Sequence, residues 1–333
     1  MSRIWEKNSG YSILRFYVDG CTRACYRHLT FSGDLPDDGA VIIAPNHTST
    51  LMDALVILCR RHGATVFGAR ADIFRKPLIA KILRFLRIVP MARIRDGAES
   101  VLKNRETFAE VDDVLAHGVP FCIFAEGRHR PMHSLLPIGK GIARIAFASA
   151  EKRQTYVVPT GIEHGSFFRY RYPCTVTFGE PIDVNAFLKA HEGSSESETF
   201  MAFRKELGER ISALITCLPD DENYEAAWQA VKPVRKPQPL AAVLTAPLFL
   251  VSAVLCLPMW VTAEWLCRKA KDHAWNNTIR YGVKLLLTPI MLLFWLLVMP
   301  GWWKLLAGAL FLFSYSFFYD WINLTPSRGT GEE

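Results

Sequence analysis

The sequence predicts an α/β domain built on a mainly parallel sheet flanked by helices, followed by an all-helical membrane region. Two observations carry this. Over residues 40–183, short apolar β-branched runs alternate with helix-like stretches of 3.6-residue period. From Leu240 onward, long runs carry no charged side chain at all.

The totals agree with both. The chain has 333 residues, 50% of them hydrophobic and 21% charged, enough for a large buried core and against wholesale disorder. The net charge of +7 favours an anionic partner such as a phosphate-bearing substrate or an anionic lipid. The basic residues are dispersed and no nucleic-acid recognition motif occurs, so nucleic acid is not an expected partner. Eight scattered cysteines without a repeated pair read as reduced, mostly buried thiols. No structural metal site and no cofactor are expected. The first ten residues do not read as a signal peptide.

Residues 4–29 mix Trp5, Ile13, Phe16 and Tyr17 with Arg3, Lys7, Arg15, Arg23 and Arg27. They predict an amphipathic helix, either lying on a membrane surface over residues 1–30 or packed in the ordinary way. After a polar turn, AVIIAPNH reads as a buried strand ending in a Pro-Asn break. MDALVILCRRHG is then helix-like and TVFGAR a strand. KPLIAKILRFLR is a helix, IVPMAR a strand and ESVLKNRETFAEVDDVLAHG a long helix. PFCIFAEG is a buried strand and GKGIARIAFASAEK a helix, and TYVVPTGIEH and CTVTFGEPI are strands, closing a domain over 31–190. Residues 191–236 read as a helical extension over FMAFRKELGERISALITCL followed by a linker.

The membrane region is placed at 237–322, with a polar tail at 323–333. Residues 240–260, 285–303 and 305–319 are free of charge. Lys232, Arg235 and Lys236 precede the first run, and Arg268, Lys269, Lys271, Arg280 and Lys284 follow it. If basic loops stay inside, both its ends are cytosolic. The first run is therefore expected to be re-entrant, broken near Pro247 or Pro258, or to lie in the leaflet. The second and third form a hairpin turning at PGWWK.

Two stretches carry candidate chemistry. In APNHTSTLMDALVIL, His47 precedes Asp53 by six positions. In one continuous helix that spacing subtends about 600°, so the two side chains could not meet. They meet if His47 sits in the loop after the strand and the helix begins around Thr50. Asp53 would then hold His47 as a general base. Thr50-Leu51-Met52-Asp53 is also a capping-box pattern, so Asp53 could equally satisfy an N-terminal amide. In FCIFAEGRHRPMHSLLPIGKG, a buried strand runs into Glu126, Gly127, Arg128, His129 and Arg130. Charges at the C-terminal end of a strand suit an anion pocket, and Gly127 permits a tight turn. His129 and His133 lack a third ligand for a metal, and His164 ends a strand where it can hydrogen-bond locally.

Taken together, the blocks resemble those of the glycerolipid acyltransferases that make lysophosphatidic and phosphatidic acid. NHTSTLMD resembles the His-Asp block, and RIVPMARIRDG the second block, with Arg93 at the basic position. FAEGR resembles the third block, VVPTGIEH the fourth with its Pro159, and VTFGEPID the closing strand. The likeness covers about residues 30–185. Five residues separate His47 from Asp53 where the family usually has four, and Ala125 stands where proline is common. Both the longer spacing and the C-terminal membrane segments are similar to a bacterial subset resembling glycerol-3-phosphate acyltransferases.

The resemblance implies a glycerol-phosphate acyltransferase-like fold and O-acyl transfer. The donor would be acyl-CoA or acyl carrier protein, and the acceptor glycerol 3-phosphate or 1-acylglycerol 3-phosphate. His47 would be the general base and Asp53 its orienting partner. Arg93 and Arg128, with Arg95, would hold the acceptor phosphate, and Glu126 and Gly127 would shape the pocket. It also implies membrane lipid as a partner, and a bacterial inner membrane with the catalytic domain facing the cytoplasm. Another lysophospholipid or amino-lipid acceptor, or a non-catalytic lipid-binding protein on the same fold, is the alternative.

Overall fold

The computed structural model describes residues 3–6, 8–60, 63–91, 98–232 and 238–324, with backbone alone over 98–105. Its centre is an eight-stranded sheet. The strands are β1 (Leu29–Ser32), β2 (Ala40–Pro45), β3 (Val66–Arg70), β4 (Ile88–Met91), β5 (Phe121–Cys122), β6 (Thr155–His164), β7 (Cys174–Phe178) and β8 (Ile182–Asp183). The order is β1-β7-β6-β2-β5-β3-β4, with β8 also on β6. Strands β6, β2, β5, β3 and β4 run parallel, whereas β7 and β8 pair antiparallel with β6.

Burial explains the apolar runs. Every residue of β2 is buried, and they alternate between two cores. Val41 and Ile43 face one, while Ala40, Ile42 and Ala44 face the other. The first core is roofed by α1 (Ser9–Arg23), α2 (Thr50–Arg60) and the C-terminal helices. The second is roofed by α4 (Ala98–Ala116), α5 (Lys140–Ala150), α6 (Val184–Ala190) and α7 (Glu196–Ser212). Helix α3 (Pro77–Phe85) lies towards the edge and exposes Leu78, Ile79, Ile82 and Phe85. The thiols are free, and all but Cys217 are buried.

Three local expectations change. The N-terminal helix does not begin at Ile4. Asn8 caps it by accepting from the Tyr11 amide, and Trp5 instead stacks on His117. The helix packs Tyr11, Arg15, Cys21 and Thr22 inward while leaving Ile13 and Phe16 exposed. Leu29–Ser32, unassigned by pattern, becomes edge strand β1 through parallel pairing with β7. The stretch read as linker contains α8 (Tyr224–Val231). Its Tyr224 and Trp228, four apart and so on one face, reach His133: Tyr224 Oη accepts from the His133 amide and Trp228 stacks on the ring.

Four apolar helices complete the chain: α9 (Pro239–Leu255), α10 (Leu257–Lys269), α11 (Asn276–Val298) and α12 (Trp303–Ile322). The last two are long and apolar enough to cross a membrane, and they turn over residues 299–302, at the start of the PGWWK stretch. Helices α9 and α10 meet at an 80° bend at Cys256, beside Pro258, while Pro247 stays within α9. A proline at the second position of α10 costs no helix hydrogen bond, which places the break there.

Candidate functional site

The site forms where β2 and β5 end. Strand β2 stops at Pro45, and α2 starts at Thr50, whose φ of +46° makes the sharp entry. The intervening loop is tied down by Asn46. Its side chain donates to the Ile162 carbonyl and accepts from the Ile162 amide, locking the loop to β6. His47 is left at the mouth, 16% exposed, with its ring stacked on Phe124 at 4.1 Å.

Asp53, in the first turn of α2, is fully buried. Its Oδ2 lies 2.8 Å from His47 Nδ1 and also accepts from the amides of Thr48 at 2.8 Å and Ser49 at 2.7 Å. The two readings of the spacing are thus not alternatives, because one oxygen serves both the helix entry and the histidine. Oδ1 is bonded to His164 Nε2 at 2.7 Å. Burial alone would push the Asp53 carboxyl up, but the hydrogen bonds from His164 and His47 outweigh it and hold it well below the usual carboxylate range. At His164, burial opposes charge while the neighbouring Cys174 and Asp53 favour it, and the imidazole is held above its ordinary value.

The third-block turn is built around Glu126. Its Oε1 accepts from the His47 amide at 2.6 Å and its Oε2 from the Leu136 amide at 2.8 Å. The carboxylate therefore splints the His47 loop to the 130s loop. Burial holds it above the ordinary glutamate range against those two bonds. Gly127, at φ +68°, closes the tight turn with its amide on the Phe124 carbonyl. Arg128 is exposed beside it. Arg130 donates its amide to the His47 carbonyl at 3.0 Å, and its guanidinium pairs with Asp220 and with Ser134.

The two histidines of this loop diverge. The His129 ring meets the His47 ring edge-on at 5.7 Å. His133 is buried between Trp228 and Glu163, 3.0 Å from the Glu163 carboxylate.

His47, Asp53, Glu126 and Gly127 are thus brought together, with Arg128 on the exposed side. Pro159 is buried within β6, opposite Ala44. Arg93 and Arg95 lie outside the described residues. The partner the motif reading underweighted is His164. Its signal was a polar ring ending an otherwise buried strand, which demands a buried partner.

A family model described as Acyltransferase matches residues 28–163. The curated glycerol-3-phosphate O-acyltransferase 2 of Saccharomyces cerevisiae is 29% identical over 149 residues, covering 43% of this chain and 20% of that protein. The chain therefore spans about a fifth of that relative's length. Among solved structures, the 1-acyl-sn-glycerophosphate (LPA) acyltransferase of Thermotoga maritima matches with a TM-score of 0.46 and 20% identity, over 68% of this chain and 81% of that one.

Residues 28–163, which hold the whole His47–Asp53–Glu126 constellation, form an acyltransferase domain. That match and the ordered blocks make the chain similar to the glycerolipid acyltransferases over this region.

Proposed function

We propose that the chain is a membrane-bound O-acyltransferase of phospholipid biosynthesis. It moves a fatty acyl group from acyl-CoA or acyl carrier protein to glycerol 3-phosphate or 1-acylglycerol 3-phosphate, yielding lysophosphatidic or phosphatidic acid. The observation that carries this reading is the 2.8 Å contact between His47 Nδ1 and a buried carboxylate, at the strand C-termini of an acyltransferase domain.

Asp53 engages Nδ1, so Nε2 is the nitrogen left to take the proton from the acceptor hydroxyl. The hydroxyl oxygen attacks the thioester carbonyl. The C–S bond then breaks and the thiol leaves with the proton returned by His47. Asp53 orients the ring and stabilises the imidazolium. Arg128, with Arg93 and Arg95, pairs with the acceptor phosphate. No resident cofactor takes part.

Membrane placement draws on three features. Ile13 and Phe16 on α1 and the exposed apolar face of α3 form a surface suited to a leaflet. Helix α9 begins and α12 ends together, with the Gln238 amide on the Leu324 carbonyl, and α12 reaches the domain through Arg171 and Asp320. The segment after α10 also touches the domain, since Asp272 bonds His129. Both ends of the bent α9–α10 pair therefore lie on the catalytic side, which favours re-entry over crossing. We place that side in the cytoplasm, against a bacterial inner membrane.

The test is transfer by purified full-length protein from labelled acyl-CoA or acyl carrier protein to each acceptor. His47→Ala is expected to lower the rate about 10²–10⁴-fold without unfolding the protein. A mutant as active as wild type refutes the assignment, and the preferred acceptor names the step.

A further inference from the structure

The segment joining α10 to α11 and the first turns of α11 lie beyond the acyltransferase match, yet they touch two segments within it and a third just after it. Asp272 Oδ2 lies 3.3 Å from His129 Nε2, and Trp275 meets the same ring edge-on at 6.1 Å. Thr278 Oγ1 lies 2.7 Å from Thr50 Oγ1, at the strained entry of the helix that carries Asp53. Asn277 Nδ2 donates to the Phe167 carbonyl at 2.9 Å and Arg280 Nη1 to the Phe168 carbonyl at 2.7 Å, both just after His164. Arg280 is itself held by Glu264 through two bonds, at 2.8 and 3.2 Å.

A hydrophobic anchor needs none of this. Insertion into lipid is satisfied by apolar side chains alone. Polar groups reaching from such helices to backbone carbonyls fix an orientation relative to the domain. The target of Asp272 is informative, because His129 is the ring that flanks His47 at the mouth.

We infer that residues 272–280 complete the acyl-transfer site, with Asp272 and Trp275 as positioning residues that hold His129 beside His47 where the acceptor phosphate binds. This rests on the acyltransferase reading above. The carboxylate fixes the ring's orientation, and Trp275 limits its swing. The C-terminal region is then part of the site and not only an attachment to the bilayer.

The experiment uses full-length protein in phospholipid vesicles. Asp272 also caps the short 3₁₀ turn by accepting from the Ala274 amide at 2.9 Å, so Asp272→Asn, which keeps a cap, is compared with Asp272→Ala. Both are expected to raise KM for the phosphate acceptor about tenfold, equal to ~1.4 kcal/mol, with kcat changed less than about threefold. Asp272→Glu should recover most of the loss. In a His129→Gln background, Asp272→Asn should add nothing, since the aspartate acts through that ring.

Unchanged KM in both Asp272 variants overturns the inference, as does a full additional loss in the His129→Gln background. A wild-type protein that transfers to no acceptor defeats the broader reading instead. The positioning claim then stands or falls on carbethoxylation of His129, followed by peptide mass mapping. Its rate should rise several-fold in Asp272→Ala and stay at the wild-type rate in Asp220→Asn. An equal rate in Asp272→Ala and wild type refutes the contact.

Discussion

The acyltransferase domain and the C-terminal helices solve opposite problems. In the domain, polar groups are buried and the two carboxylates that shape the mouth are heavily bonded: Asp53 accepts four bonds and Glu126 two. In the C-terminal region apolar groups are exposed, among them Leu240, Val243, Leu286, Leu297 and Phe313, and the polar ones gather where the helices meet the domain. Arg171 joins Asp320 at 2.7 Å, Lys284 reaches Ser316 at 2.9 Å, and Tyr17 Oη donates to the Leu285 carbonyl at 2.7 Å. The contrast teaches that one chain uses buried polarity for two ends. In the first it sets a reactive geometry, and in the second it fixes the orientation of an otherwise greasy bundle.

Asp53→Asn gives the sharpest test of the first half. An amide cannot accept at both ends, so its NH₂ must face the amides or a histidine now held only as an acceptor. Transfer should fall about 10²–10⁴-fold. Stability should drop by about 1–3 kcal/mol, read from a denaturant titration. A variant that loses stability but keeps full kcat would leave Asp53 as a helix-entry residue alone.

The second half is tested by Arg280→Ala, which leaves Glu264 with the Tyr319 hydroxyl but no cation and frees the Phe168 carbonyl. Loss of one partner of a largely buried pair costs about 3–5 kcal/mol where the site stays dry. Limited proteolysis in vesicles should then open the 268–276 segment, while the 28–163 domain resists. Equal protection in variant and wild type would show that the bundle needs no polar seam.

The smallest effect belongs to a site that serves neither end. Asp112 bonds Arg153 at 2.6 Å and Lys152 at 3.0 Å. Burial pushes its carboxyl up, but those bonds outweigh it and the net value is lowered. A depressed folded value means the contribution is complete above the unfolded value of about 3.9 and fades as pH falls through the folded one. Asp112→Asn should therefore cost less than about 1 kcal/mol at pH 7, with the difference from wild type shrinking below about pH 4. Thermal melts across pH 2–7 measure it, and a difference that grows on acidification would reverse the sign.

The sequence by itself determined a good deal. Short continuous apolar runs such as AVIIAP and TYVVPTGIEH marked the sheet, and charge-free runs marked the last helices, because solvation acts on each residue locally. That His47 must sit outside a helix starting near Thr50 if it is to meet Asp53 followed from helix geometry.

Only the tertiary structure decided the rest. His164 reaches Asp53 from 111 residues away, and Asp272 reaches His129 from 143. Neither pairing leaves a local trace, because the hydrogen-bond demand of a buried group names no partner. Likewise β1 exists through β7, and α8 through His133. A four-residue edge strand and an eight-residue helix carry too little intrinsic preference to stand without the surfaces they cover.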